Sequence, residues 1–485
     1  MKIVTGKSEN GIPVRFLWEK EDAPDAIIEV PIFSGKYLDI YCETGSGTPV
    51  ICMNCGKSSE LEPLGVREIL AVISKKCREW HIHSCNIDLN VFYERFGKTA
   101  LSQAVLGLML GRYSYSLKSF LEEYTGDKTG KETDQSCCFY ITCASPEIPE
   151  DAAEALIVEA QELASDMIFA RDMANTPGNH LRPADFRKYL CNFAKDTDIE
   201  VQVLEYEHLR EMGMEGLCGI GESSDFPPCL VVMRYRGNPD SQETLGLFGK
   251  GVTCDTGGYC LKSSKSMAGI KGDMAGAAAV AGAMHAAAAL RLKLNVTACM
   301  PICENRISSS AHLPGDVITS YSGKTVEILN TDAEGRLILA DAIGYGIKDE
   351  KVSAVVDIAT LTGSVWTALG YTIAGAMCNN DTLYGLFERG LQHSLERYLR
   401  FPYGREHLKL LRSNVADIKN IGGDYCGTIT AGVFLKEFAD GKPWLHLDIA
   451  GTAWGDPPQY AFDHPGATGA GLTSLYYLMK EWETK

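Results

Sequence analysis

Histidine is scarce in this sequence, 10 residues in 485, and no H-E-x-x-H occurs, so a zinc site of that helical kind is excluded and any metal needs other donors. No G-x-S-x-G is present either, which removes the nucleophile-elbow hydrolases. A Walker A loop is missing, because Gly249-Lys250 is followed by Gly251 rather than Ser or Thr. Gly216, Gly219 and Gly221 do not complete a dinucleotide fingerprint. Positive charge is in deficit. Against 63 Asp and Glu stand 46 Lys and Arg, a net charge of −17, which disfavours nucleic acid or an anionic membrane as the main partner. No run of about 20 residues is apolar enough to span a bilayer. The longest candidate, 352–377, carries Asp357 and several Thr and Gly. The opening Met1 to Lys7 lacks the apolar segment of a signal peptide, and the expectation is a cytoplasmic protein. Seventeen cysteines are an odd number, and in a chain without an export signal they argue against a disulfide framework. Cys52 and Cys55 form a C-x-x-C, but no second pair follows at zinc spacing, and Cys137, Cys138 and Cys143 lie too far along. They read as buried thiols, and His81 with His83 as an exposed strand alternation.

What is present is ordinary for a globular chain: 45% hydrophobic, 22% charged and 9% aromatic residues. The length buries a core without staples and allows more than one domain. Residues 1–150 mix short apolar runs with helical patterns such as Ala104 to Leu110, and a loop-like stretch spans Tyr124 to Gln135. A helical pattern from Asp151 to Ala174 breaks at Asn175-Thr176-Pro177-Gly178 and reads as a connector, 151–178. Beyond Pro183, apolar runs at 230–235, 244–248, 294–300, 352–358 and 444–449 read as strands, with helical patterns at 274–290 and 336–347 between them. The expected class is α/β in two domains: a smaller N-terminal α/β domain, and a larger one, 179–485, with a mixed, largely parallel sheet flanked by helices.

Two segments of the larger part concentrate charge where a core would exclude it. The first runs from Gly249-Lys250-Gly251 through Asp255 and Lys262 to Lys271-Gly272-Asp273, where a strand ends at Lys250, a Gly-rich turn presents Asp255, and Asp273 precedes an Ala-rich helix. Ligands of open α/β sheets bind beyond such strand ends. The second is Asn330-Thr331-Asp332-Ala333-Glu334-Gly335-Arg336-Leu337, in which Asp332 and Glu334, two apart, point the same way if extended. Four converging carboxylates need compensation, and two divalent cations would balance them. Oxygen donors with one nitrogen from Lys250 suit Zn, Mn, Mg or Co, and a water shared by two such ions becomes a hydroxide nucleophile near neutral pH. Singly, each residue also has a plain structural use: a turn for Asp255, a helix cap for Asp273, a capping arrangement for Asp332 and Glu334.

Taken together, these two segments resemble the leucyl aminopeptidase (cytosol aminopeptidase) family, and the Asn330 to Leu337 octapeptide matches its signature in full. The runs Asp357 to Gly363 and His446 to Trp454 are similar too. The resemblance is strong from about residue 150 onward and implies a catalytic metallopeptidase domain there, with assembly or regulation left to the N-terminal domain. It implies one metal held by Lys250, Asp255, Asp273 and Glu334, and a second by Asp255, Asp332 and Glu334. Lys262 would stabilise the oxyanion, and Arg336 would hold a bicarbonate ion as general base, its planar fork matching a planar anion. Asp273 would meet the free α-amine, and main chain at Thr360, Leu361 and Gly363 would place the peptide. The partners implied are short peptides with a free N-terminus, within a homohexamer. Some members also bind DNA, a role the charge of −17 opposes. Departures lie beside the chemistry: Cys254 for an aromatic, Thr256 for Ser, Ala275 for Gly, and Ile270 where Met often lines the side-chain pocket. Ile270 is shorter and stiffer than Met, and an apolar-leaning pocket is expected.

Overall fold

A computed structural model describes residues 1–19, 36–44, 48–125, 137–143 and 150–485. The loop expected at 124–135 lies outside these from 126 onward, while Tyr124 and Thr125 close the helix Leu117–Thr125. The chain divides into two compact units, Met1–Ser165 with Pro458–His464, and Asp166–Pro457 with Pro465–Lys485. The division falls inside one continuous helix, Glu150–Asn175. It therefore lies beyond residue 150, and a short later segment returns to the first unit.

The first unit carries a six-stranded sheet in the order Lys2–Thr5, Cys138–Thr142, Ser84–Asp88, Ile12–Leu17, Val50–Asn54, Ile40–Glu43. All its pairings are parallel except the last. Cys52 and Cys55 are buried free thiols, as the composition suggested, and every other cysteine is free as well. His81 and His83 depart from expectation. They sit exposed in the turn between the helix Pro63–Glu79 and the strand Ser84–Asp88, with His81 at φ 54° closing the helix.

The second unit is built on a nine-stranded sheet. Its centre is parallel: Trp444–Asp448, Ala354–Ala359, Leu245–Gly249 and Asn295–Asn305 lie side by side in that order. Antiparallel partners flank it, Ala374–Cys378 on one side and Cys229–Arg236 with Ile199–Glu205 on the other. The parallel strands are buried throughout, matching their unbroken apolar runs. The helix Ala275–Ala289 is nearly all Ala and Gly because it meets the sheet backbone to backbone. A Cβ on Gly276 would come within 2.3 Å of the Ile358 carbonyl oxygen, so no larger residue fits there. That close approach brings the start of the helix to the end of the strand Leu245–Gly249, where the Ala277 N–H donates to the Lys250 carbonyl at 2.9 Å.

Candidate active site

The central strands end along one edge of the sheet, and the charged residues gather there. Lys250 follows Leu245–Gly249, Thr360 follows Ala354–Ala359, and Asn305 and Asp448 are the last residues of their strands. Asp255 differs from expectation. It ends a short strand of its own, Gly251–Asp255, paired in parallel with Asn295–Asn305, so the Gly-rich turn begins only after it. Asp273 comes down from the turn Ile270–Gly272 that carries Ile270, and Glu334 stands at the head of the helix Gly335–Lys348.

The structure brings Lys250, Asp255, Asp273, Asp332 and Glu334 into one charged cluster with Lys262. Lys250 Nζ lies 2.7 Å from Asp273 Oδ2 and 2.8 Å from Glu334 Oε1, and donates to the Thr360 carbonyl at 3.2 Å. Lys262 Nζ is 2.6 Å from Asp255 Oδ2 and pairs with Asp332 Oδ1 as well. Oxygens of Asp255, Asp273 and Glu334 all lie within 4.8 Å of one another. Asp332 stands at the rim, its side chain 31% exposed. The alternative structural uses do not account for this. Neither Asp273 nor Glu334 caps a helix with its side chain, although Asp255 Oδ1 does accept the Gly257 N–H at 3.0 Å.

Burial and crowding set the electrostatics. Burial pushes the Asp273 carboxyl well above the usual carboxylate range, and the charge of Lys250 only partly opposes this. Asp332 is pushed up to about 6, by burial first and then by Asp255 and Glu334. For Glu334 burial again works against ionisation, but Lys250 and Lys262 outweigh it and the group is held below its ordinary value. Both lysines are held protonated by the carboxylates despite burial. Two ammonium groups face four carboxylates, an imbalance that raises Asp273 and Asp332 and that protons or cations must offset, and the donors are oxygens with one amine and no thiolate. That set fits hard or borderline divalent cations.

Arg336 is buried beside the cluster and donates from Nη1 to the Asn420 carbonyl at 2.7 Å, while among the described residues its Nε has no hydrogen-bond partner. Burial pulls its pKa down to about 10, with Glu334 and Asp448 opposing only in part. Leu361 and Thr362 present their N–H groups to Asp448 Oδ1 at 3.2 and 3.4 Å, and the Thr362 hydroxyl donates to Asp448 Oδ2 at 2.7 Å. The Leu361 N–H is thus committed to the protein. Thr360 donates its hydroxyl to Asp273 Oδ1 at 2.7 Å, and Gly363 opens the helix Gly363–Leu369. Sequence reasoning missed Asn305, Asn420 and Asp448. Asp448 lay inside a run noted for similarity but without a role, and the two asparagines carry no spacing pattern that would single them out.

Comparison with known proteins places this geometry. Residues 168–476 match the sequence model of the cytosol aminopeptidase family, catalytic domain. A protein of Clostridium perfringens described as "Probable cytosol aminopeptidase" is 38% identical over 451 residues, 92% of this chain and 90% of that protein. One of the same description from Roseiflexus castenholzii is 35% identical over 473 residues, 96% and 95% of the two chains. Among solved structures, the bottromycin maturation enzyme BotP superposes with a TM-score of 0.83 at 29% identity, covering 98% of this chain and 99% of that one. Its complex with Mn gives 0.82 at 28% identity, covering 99% of each. The fold and its charged edge are those of a metal-dependent peptide hydrolase. The chain belongs to the cytosol aminopeptidase family, and it is an aminopeptidase, a hydrolase that acts on the N-terminal residues of peptides. Among the described residues no helix is long and apolar enough to cross a membrane.

Proposed function

We propose that this chain removes apolar-leaning N-terminal residues from short peptides, using two divalent ions held by Lys250, Asp255, Asp273, Asp332 and Glu334. The observation that carries the proposal is the convergence of the Asp255, Asp273 and Glu334 oxygens within 4.8 Å around the Lys250 amine, at the strand ends of an aminopeptidase fold. Zinc or manganese suits this donor set, with magnesium or cobalt as substitutes. When bound, such ions supply Lewis acidity, which polarises a peptide carbonyl and acidifies water.

The remaining work falls to the chain itself. Lys262 lies at the open side of the cluster and holds a fixed positive charge where the carbonyl oxygen becomes an oxyanion. Asp273, backed by the Thr360 hydroxyl, receives the α-amine of the substrate, which explains a requirement for an unblocked N-terminus. Arg336, with Nε unpartnered among the described residues, would hold a bicarbonate ion, which would supply a general base beside the cluster. Ile270, beside Asp273 on the same turn, borders the space for the first side chain, and the segment Thr360 to Gly363 borders the peptide main chain. A cytoplasmic homohexamer completes the reading, with light scattering as its direct check.

The deciding experiment is hydrolysis of a panel of aminoacyl amides, each free and N-acetylated, with manganese or zinc and after chelation. The expected result is metal-dependent cleavage of the free-amine substrates alone, fastest for apolar residues. Equal cleavage of acetylated substrates, or full activity after exhaustive chelation, would overturn the proposal.

A further inference from the structure

Asn305 ends the long strand Asn295–Asn305 and is 2% exposed. Its side-chain Nδ2 lies 2.9 Å from Asp255 Oδ1, 3.0 Å from the Thr331 carbonyl and 3.4 Å from Glu334 Oε2. Ionised carboxylates and a carbonyl only accept hydrogen bonds, so this position demands the amide nitrogen, and the side-chain orientation is fixed by its surroundings. The division of oxygens is informative. Asp255 turns Oδ2 and Glu334 turns Oε1 toward the lysines, while the second oxygen of each is tied to the one amide. The amide is itself anchored. The Asn305 carbonyl accepts from the Thr256 N–H at 2.9 Å and its hydroxyl at 3.0 Å, and the next residue, Arg306, donates its N–H to Ser223 Oγ at 2.8 Å.

We propose that Asn305 is a positioning residue that fixes Asp255 and Glu334 relative to each other, and so sets the geometry in which this chain receives divalent ions. The inference rests on the metal-dependent reading above. Asp255 and Glu334 reach the site from a strand and from a helix head almost 80 residues apart in sequence, and the single amide between them holds their separation. Without it, two like charges in a buried site move apart, and the ions meet ligands that must first be reordered. Partners of metal ligands commonly contribute 10- to 100-fold in affinity.

The test uses full-length protein with manganese alone as the probe. Asn305→Asp keeps the size and replaces the donor by an acceptor, Asn305→Leu removes the donor, and Ser223→Ala loosens the strand end without touching a carboxylate. Manganese titration by calorimetry and the electron paramagnetic resonance spectrum of the loaded protein are read beside melting temperature. Both Asn305 variants are expected to bind manganese about 10- to 100-fold more weakly with an altered spectrum, and to lose kcat on a free-amine amide with KM changed less than about twofold. Ser223→Ala is expected to lose melting temperature but not manganese affinity. Affinity within about twofold of wild type in both Asn305 variants would overturn the inference and leave Asn305 a purely structural residue. The two readings fail separately: wild-type protein that binds no manganese overturns both, whereas wild-type binding with unchanged variants overturns only this one.

Discussion

Arg234 sits on the antiparallel flank of the large sheet, on the strand Cys229–Arg236, and its guanidinium is engaged on every side. Nε and Nη2 grip Glu350 at 2.8 and 2.6 Å, Nη2 also reaches Gln202, and Nη1 reaches Glu200 at 3.0 Å. Its pKa rises accordingly, the hydrogen bonds to Glu350 being the main cause. Arg336, at the carboxyl edge of the same sheet, has one carbonyl and an orphaned Nε. Among the described residues no carboxylate pairs with it, and burial pulls its pKa down to about 10. Burying a charge costs several kcal/mol unless it is paired. The first arginine is fully paired by the fold; the second feels Glu334 and Asp448 only at a distance, and burial outweighs them. An anion is the natural complement, and this contrast is what supports proposing Arg336, rather than Arg234, as the bicarbonate holder.

Substitutions sharpen that contrast, beginning with the carboxylate both lysines attract. Glu334→Gln removes a charge that holds Lys250 and takes a hydrogen bond from Asn305, and it is expected to lower kcat at least about 100-fold, read with saturating manganese. Arg336→Lys is expected to lower kcat about 10- to 100-fold and to abolish any rate response to added bicarbonate, since an ammonium lacks the fork. Arg234→Lys should leave kcat and the bicarbonate response within about twofold of wild type. Removing the same arginine altogether, Arg234→Ala, should cost about 3 kcal/mol of stability by leaving Glu350 without a cationic partner and, among the described residues, with only the Tyr345 hydroxyl donating to it, measured by denaturant unfolding. A bicarbonate response that survives in Arg336→Lys would erase the distinction between the two arginines.

How much of this was legible beforehand depends on chain distance. The helix Glu150–Asn175 and the Ala-rich helix were readable from apolar periodicity and composition, and the parallel core strands from their β-branched runs. Lys250, Asp255, Asp273, Asp332 and Glu334 were readable because two short segments hold all five. The strand Asn295–Asn305 was expected to stop at Met300. Pro301, which cannot donate to a ladder, follows at once, yet it pairs with Leu230 and the strand runs on to Asn305. That shortening hid Asn305, whose role exists only because the extra residues carry it to Asp255. Asp448 and Asn420 were hidden for another reason. They act on Leu361 and Arg336 across 87 and 84 residues of sequence, and only the strand order brings them there.

Asp341 supplies the smallest test, and it separates pairing by cations from pairing by neutral donors. It lies on the helix Gly335–Lys348, fully buried, accepting the Tyr321 N–H at 2.7 Å and the Leu217 N–H at 2.9 Å. Burial nevertheless pushes it up to about 7 from an ordinary 3.8, the N–H donors opposing only in part. Glu334 is equally buried but faces two lysines and shifts the other way. A raised carboxyl pKa means that the native state favours the proton. The stability Asp341 contributes is therefore complete below about pH 4 and is lost as pH rises through about 7. Asp341→Asn removes the titration and leaves a constant offset from its own amide. The melting temperature of wild type relative to Asp341→Asn should thus fall steadily between pH 5 and about pH 8. A difference that stays flat across that range would mean that backbone N–H groups neutralise a buried carboxylate as well as Lys250 and Lys262 do, and burial alone would no longer distinguish the charged edge from the rest of the core.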